Sequence, residues 1–191
     1  MAAALPEGDA VTGRLVALLR GINVGRAKRV AMADLRSLVS GLGYRDVATL
    51  LNSGNVVFTA LDVAPGDAAA AIEGALVARL GVRARVTVLT AAELAAAVAD
   101  DPLHSLATDP SRLLVAFLQS PADRSRLEPL LPEDWSPEAL ALGRRVAYLW
   151  CPAGVLASRL QEAVGRALGD AVTTRNWATV TKLHALAGES G

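Results

Sequence analysis

The sequence predicts an α+β fold built of two tandem ferredoxin-like repeats (β-α-β-β-α-β), each followed by an extra helix. Short apolar runs of strand length alternate with stretches of helical periodicity, and the order of these elements occurs twice. At 191 residues, 52% hydrophobic and 20% charged, the chain can form one large or two small units with a sizeable core. The expected layout is a loose N-terminal tail over 1–13 and a first repeat with its following helix over 14–100. A linker over 101–111 and a second repeat with its closing helix over 112–188 complete it.

The first repeat opens on a buried strand, Arg14 to Arg20, carried by the unbroken run Leu15-Val-Ala-Leu-Leu19. After a basic loop, Met32, Leu35, Leu38, Val39 and Leu42 recur at helical spacing, and Gly41 and Gly43 mark the stop. Val47 to Leu51 and Val56 to Thr59 read as a hairpin around Asn52-Ser-Gly-Asn55. Ser53-Gly54 is its two-residue turn, since glycine accepts the positive φ required there. Pro65-Gly66 leads into an Ala-rich helix, Asp67 to Leu80, and then a strand, Arg83 to Leu89. Thr90, with Glu93 three residues on, is a capping-box signature for a helix reaching about Asp100.

Asp101 to Ser111, with Pro102 and Pro110, has the turn-rich composition of an interdomain linker. The order then recurs: a strand over Leu113 to Leu118, a short helix over Pro121 to Leu131, and a hairpin of Ala139 to Leu142 and Arg145 to Trp150 about Gly143. A helix over Val155 to Leu168, a strand over Ala171 to Thr174 and a closing helix over Trp177 to Leu186 finish the repeat.

Zero net charge gives the whole molecule no strong pull on nucleic acid or anionic membrane. The N-terminal segment has neither a basic n-region nor a long apolar run, so no signal peptide or membrane span is expected. One cysteine, Cys151, excludes an internal disulfide and fits a reducing cytoplasm; it reads as a buried, inert thiol. His104 and His184 are isolated, so neither a metal nor a cofactor is expected. There is no Walker loop, no G-x-G-x-x-G, no nucleophile elbow and no H-E-x-x-H.

Local charge tells more. Of 19 basic residues only Lys28 and Lys182 are lysines, and the asparagines are Asn23, Asn52, Asn55 and Asn176. Composition alone would scatter them, yet all six fall in three short segments. The first, Arg20-Gly-Ile-Asn-Val-Gly-Arg-Ala-Lys-Arg29, joins a strand to a helix, carries no carboxylate, and holds two glycines that let backbone approach a ligand. Positive charge and free N–H groups at a helix start suit an anion. In a ferredoxin-like unit this loop and the Asn52 to Asn55 turn are neighbours. Pro152 to Arg159 and Thr173 to Trp177 lie together in the second unit. Opposed edges would gather Arg20, Asn23, Lys28, Asn55, Arg159, Arg175 and Asn176 in one cleft between the repeats.

Three of these stretches resemble an uncharacterised bacterial family, the domain-of-unknown-function-1697 proteins: Leu18-Leu-Arg-Gly-Ile-Asn-Val-Gly25, Asn52-Ser-Gly-Asn-Val-Val-Phe58 and Thr173-Thr-Arg-Asn-Trp-Ala-Thr-Val-Thr-Lys-Leu183. Family members carry a Gly-rich turn and then Ser-Lys-Leu where this chain has Gly154-Val-Leu-Ala-Ser-Arg-Leu160, so Arg159 replaces a lysine. Charge pairing survives that change; a general-base lysine does not. The resemblance implies an α/β fold with internal duplication and supplies no activity.

Each candidate also has a plain structural reading. Arg20 can grip a phosphate or carboxylate bidentately or form an ion pair at a strand end. Asn23, Asn52 and Asn55 suit turns for local reasons. Lys28, Arg29 and Lys182 suit solvated surface. Asn176 suits a helix cap, and Trp177 suits a core. Arg175 is the better candidate, because a cation at a helix N-terminus opposes the dipole unless an anion sits there. Three functions follow. The first is a cytoplasmic protein binding a small anionic ligand, a nucleotide or phosphorylated metabolite, with catalysis and catalytic residues undetermined. The second is an RNA- or DNA-binding module, which needs exposed aromatics and has only Phe58 near a suitable place. The third is an interaction protein with no small-molecule site. Oligomeric state is not read from the sequence.

Overall fold

The computed structural model describes residues 10–25 and 29–188. Residues up to Ala91, with those from Ala185 on, form one compact unit, and Ala92–His184 form a second.

The first unit contains β1 (Val11–Leu19), α1 (Met32–Ser40), β2 (Arg45–Leu50), β3 (Asn55–Val63), α2 (Pro65–Leu80) and β4 (Val86–Thr90). Its antiparallel sheet has the order β2-β3-β1-β4. One face packs on the helices: Leu15, Ala17, Leu19, Val56, Phe58 and Val88 share a core with Leu35, Leu38, Val39, Ile72 and Leu76. Phe58 stacks at a tilt on Tyr44, ring centroids 4.6 Å apart. The alternate residues Val16, Leu18, Val57 and Leu89 are buried as well, which is why β1 reads as an unbroken apolar run. Pro65 is preset for the first turn of α2. Gly81 (φ 63°) ends that helix in left-handed backbone, its N–H bonding the Val77 carbonyl and that of Val82 the Leu76 carbonyl.

The second unit contains α3 (Ala91–Ala99), β5 (Leu113–Leu118), β6 (Ala139–Leu142), β7 (Val146–Trp150), α4 (Arg159–Leu168), β8 (Val172–Asn176) and α5 (Trp177–Gly188). Of these, the first residue of α3 and the last turn of α5 cluster with the first unit. The antiparallel sheet order is β6-β7-β5-β8. Leu160, Val164 and Leu168 of α4 pack with Leu114, Ala116, Leu118 and Leu149. The other face meets α3: the Tyr148 hydroxyl donates to the Ala97 carbonyl at 2.8 Å, and Arg145 pairs with Glu93 at 2.9 Å.

Several expectations change. The strand β1 begins at Val11, which pairs with Val63, so the last residues of the expected tail belong to the sheet; residues 1–9 lie outside the described residues. The β2–β3 turn spans four residues, Leu51 to Gly54, with left-handed backbone at Leu51 (φ 59°) and Gly54 (φ 79°). No α-helix forms over 121–131. Two 3-10 segments, Pro121–Arg126 and Glu128–Leu130, stand there, because Pro129 removes an N–H and clashes with the carbonyl four residues back. The helix expected from Val155 is a 3-10 turn, and α4 starts only after Ser158, whose hydroxyl accepts from the Gln161 N–H at 2.9 Å. The division between units falls at Ala91/Ala92 rather than in 101–111, since α3 covers the second sheet and the proline-rich segment joins two elements of one unit.

Candidate anion site

The basic loop follows β1 directly. As the topology predicts, it adjoins the β2–β3 turn: the Leu19 N–H donates to the Gly54 carbonyl at 2.8 Å, and Asn23 Nδ2 donates to the Asn52 carbonyl at 2.8 Å. Asn23 is the clasp of the loop. Its Nδ2 also donates to the Val30 carbonyl at 2.8 Å, and its Oδ1 accepts from the Val30 N–H at 2.8 Å, so one side chain closes the loop across seven residues. Ile22 is buried and seats the loop on Gly54: a Cβ at position 54 would stand 2.7 Å from Ile22 Cδ1 and 2.8 Å from Leu19 Cβ. Only glycine allows that approach.

Backbone in this loop alternates in handedness. Gly21 (φ 73°), Asn23 (φ 56°) and Gly25 (φ 54°) are left-handed and the residues between them are not. Backbone nests that bind anions are built from residues that alternate between right- and left-handed conformation. Beside the loop stand Arg20, half-buried, whose N–H donates to the Arg85 carbonyl at 2.8 Å, and exposed Arg29. Asn55 is fully buried and donates from Nδ2 to the Leu50 carbonyl at 2.8 Å and to Ser53 Oγ at 2.9 Å; Asn52 is exposed. The side-chain amides of Asn23 and Asn55 are thus spent on holding backbone. Lys28 lies outside the described residues.

Arg159, Arg175, Asn176 and Lys182 belong to the second unit. Asn176 caps α5, its Oδ1 accepting from the Thr179 N–H at 2.9 Å. Lys182 is exposed. Arg159 is also exposed at the start of α4, its guanidinium carbon 6.0 Å from the Trp135 ring centroid. Arg175 sits opposite Val115 in the register of β8 on β5, on the sheet face away from α4. The two arginines therefore lie on opposite faces of this sheet. Burial lowers the Arg175 pKa to about 10, and its Nη1 donates to the Thr174 carbonyl at 2.9 Å. It remains charged at neutral pH. Cys151 is buried against Ser158 Oγ at 3.3 Å, and burial raises its thiol pKa.

Sequence reasoning passed over the 101–110 segment, taken for a linker, and Trp177, taken for core. Both wall a cavity of about 350 Å³ in the second unit. The signal available was the acidic and histidine content of a supposed linker, Asp101 and His104 together.

Among the described residues no helix is long and apolar enough to cross a membrane. No curated protein matches the chain. Among solved structures it is similar to conserved bacterial protein SP0830 from Streptococcus pneumoniae. The two are 21% identical, with a TM-score of 0.74 over 92% of this chain and 99% of that one, a likeness of fold. A family model described as protein of unknown function (DUF1697) matches residues 13–148, which hold the clasped loop, β5, β6 and the start of β7, and the chain belongs to that family.

Proposed function

We propose that this protein binds a small anionic ligand, a nucleotide or phosphorylated metabolite, at the clasped loop of its first unit. The reading rests on one observation: a loop of alternating handedness, locked by three hydrogen bonds from Asn23, lies between Arg20 and Arg29 in a segment without a carboxylate. Preset N–H groups and guanidinium charge favour a phosphate-like anion without further ordering cost. We further read both units as ferredoxin-like repeats from an internal duplication. Support comes from the strand orders β2-β3-β1-β4 and β6-β7-β5-β8, which correspond position by position. A cytoplasmic setting fits the single buried thiol.

The nucleic-acid reading is weaker, because Phe58 is fully buried beneath the helices rather than offered for stacking. An interaction surface has one observation in its favour: Val24 is 66% and Leu51 49% exposed, on the two turns that Asn23 ties together.

Thermal unfolding with inorganic phosphate, nucleotides and sugar phosphates tests the proposal. At least one phosphate compound should raise the Tm of the parent and not that of Arg20→Ala. No shift in the parent with any of them would refute it.

A further inference from the structure

The second unit holds a cavity of about 350 Å³ where the end of α3, residues 101–110, the start of β5 and the start of α5 meet. That volume is within the range of pockets that take small ligands. Val98, Pro110 and Leu113 give it apolar walls, Trp177 adds an indole, and two side chains bring polar chemistry: half-buried Asp101 and exposed His104. No lysine or arginine lines it.

The carboxylate is held and half available. Asp101 Oδ1 accepts from the Leu103 N–H at 2.9 Å, which fixes the side chain, while among the described residues no hydrogen bond or ion pair engages Oδ2. Its charge is felt nearby. Burial first, and then Asp101 and Asp100, push the Tyr148 hydroxyl up to about 12.

We propose that this cavity binds a small organic cation bearing an apolar ring, an arylalkylamine, with its ammonium on Asp101 Oδ2 and its ring against Trp177 and the apolar walls. An ammonium–carboxylate hydrogen bond is charge-assisted and strengthens in a partly desolvated site, and the indole face attracts cations as well. A carboxylate or phosphate ligand would meet Asp101 as a like charge with no lining cation to offset it. A neutral ring would fill the volume but leave Oδ2 unpaired. The site lies within one unit and does not depend on the basic loop.

Saturation-transfer NMR with benzylamine, benzyl alcohol and phenylacetate at equal concentrations tests this on the full chain. Benzylamine should bind at least about tenfold tighter than benzyl alcohol, and phenylacetate should show no transfer. Asp101→Asn keeps the acceptor for the Leu103 N–H and should erase the preference for the amine. Ala107→Phe, which fills the cavity from its wall, should abolish binding of both ligands at an unchanged Tm. Inorganic phosphate, the probe for the basic loop, should leave benzylamine binding unaffected. No transfer to benzylamine, equal transfer to all three, or an amine preference that survives in folded Asp101→Asn would each overturn the proposal; if a variant does not fold, the ranking of the three probes on the parent decides.

Discussion

Asn23 shows how one side chain fixes a site. It adopts left-handed backbone that asparagine tolerates, and its amide makes three hydrogen bonds to backbone. Asn23→Ala should cost about 2–3 kcal/mol in urea unfolding, at about 1 kcal/mol net per bond. Asn23→Asp should fare no better, because a carboxylate cannot donate to the carbonyls of Val30 and Asn52. Gly54→Ala should cost about 1–3 kcal/mol by the same assay, since its Cβ collides with Ile22 and Leu19 at φ 79°. A variant of either kind with parental stability would contradict the clasp. The grouping of Asn23, Asn52 and Asn55 was legible from composition. Its meaning was not, because an asparagine at a turn and one at a ligand look alike until the partners of Nδ2 and Oδ1 are known.

Among elements, α3 is the instructive one. Its pattern predicts a helix after the fourth strand, and a helix stands there, but periodicity does not say which sheet it covers. The Tyr148 hydroxyl bonded to Ala97 and the Arg145–Glu93 pair assign it to the second. Tyr148→Phe should cost about 1 kcal/mol. Because the folded-state pKa of Tyr148 is raised from 10.0 to about 12, the protonated phenol's contribution is present below pH 10 and is lost as pH rises from about 10 to about 12. Stability of the parent should therefore fall across that window, and Tyr148→Phe should fall less; parallel pH profiles would refute the assignment. The 121–131 stretch carries the opposite lesson. Its prolines were in plain view and should have outweighed its length.

At the scale of the whole chain, the two ends matter to one unit. Arg14 of β1 donates from Nη2 to the Leu186 carbonyl at 3.1 Å, and Ala187 is buried. Removing residues 185–191 should lower the Tm by about 2–8 °C, from a loss of about 1–2 kcal/mol; an unchanged Tm would show that the terminus contributes nothing. By itself the sequence determined the number and order of the strands and the position of the basic loop against the β2–β3 turn. It could do so because side-chain periodicity and turn chemistry are local, and because antiparallel order places strand ends by rule. Only the tertiary structure decided that α3 belongs with the second sheet, that Arg159 and Arg175 face opposite ways, and that Asp101, His104 and Trp177 wall a cavity. Each of these depends on which distant surface a segment buries itself against, and residues far apart in the chain carry no local mark of that choice.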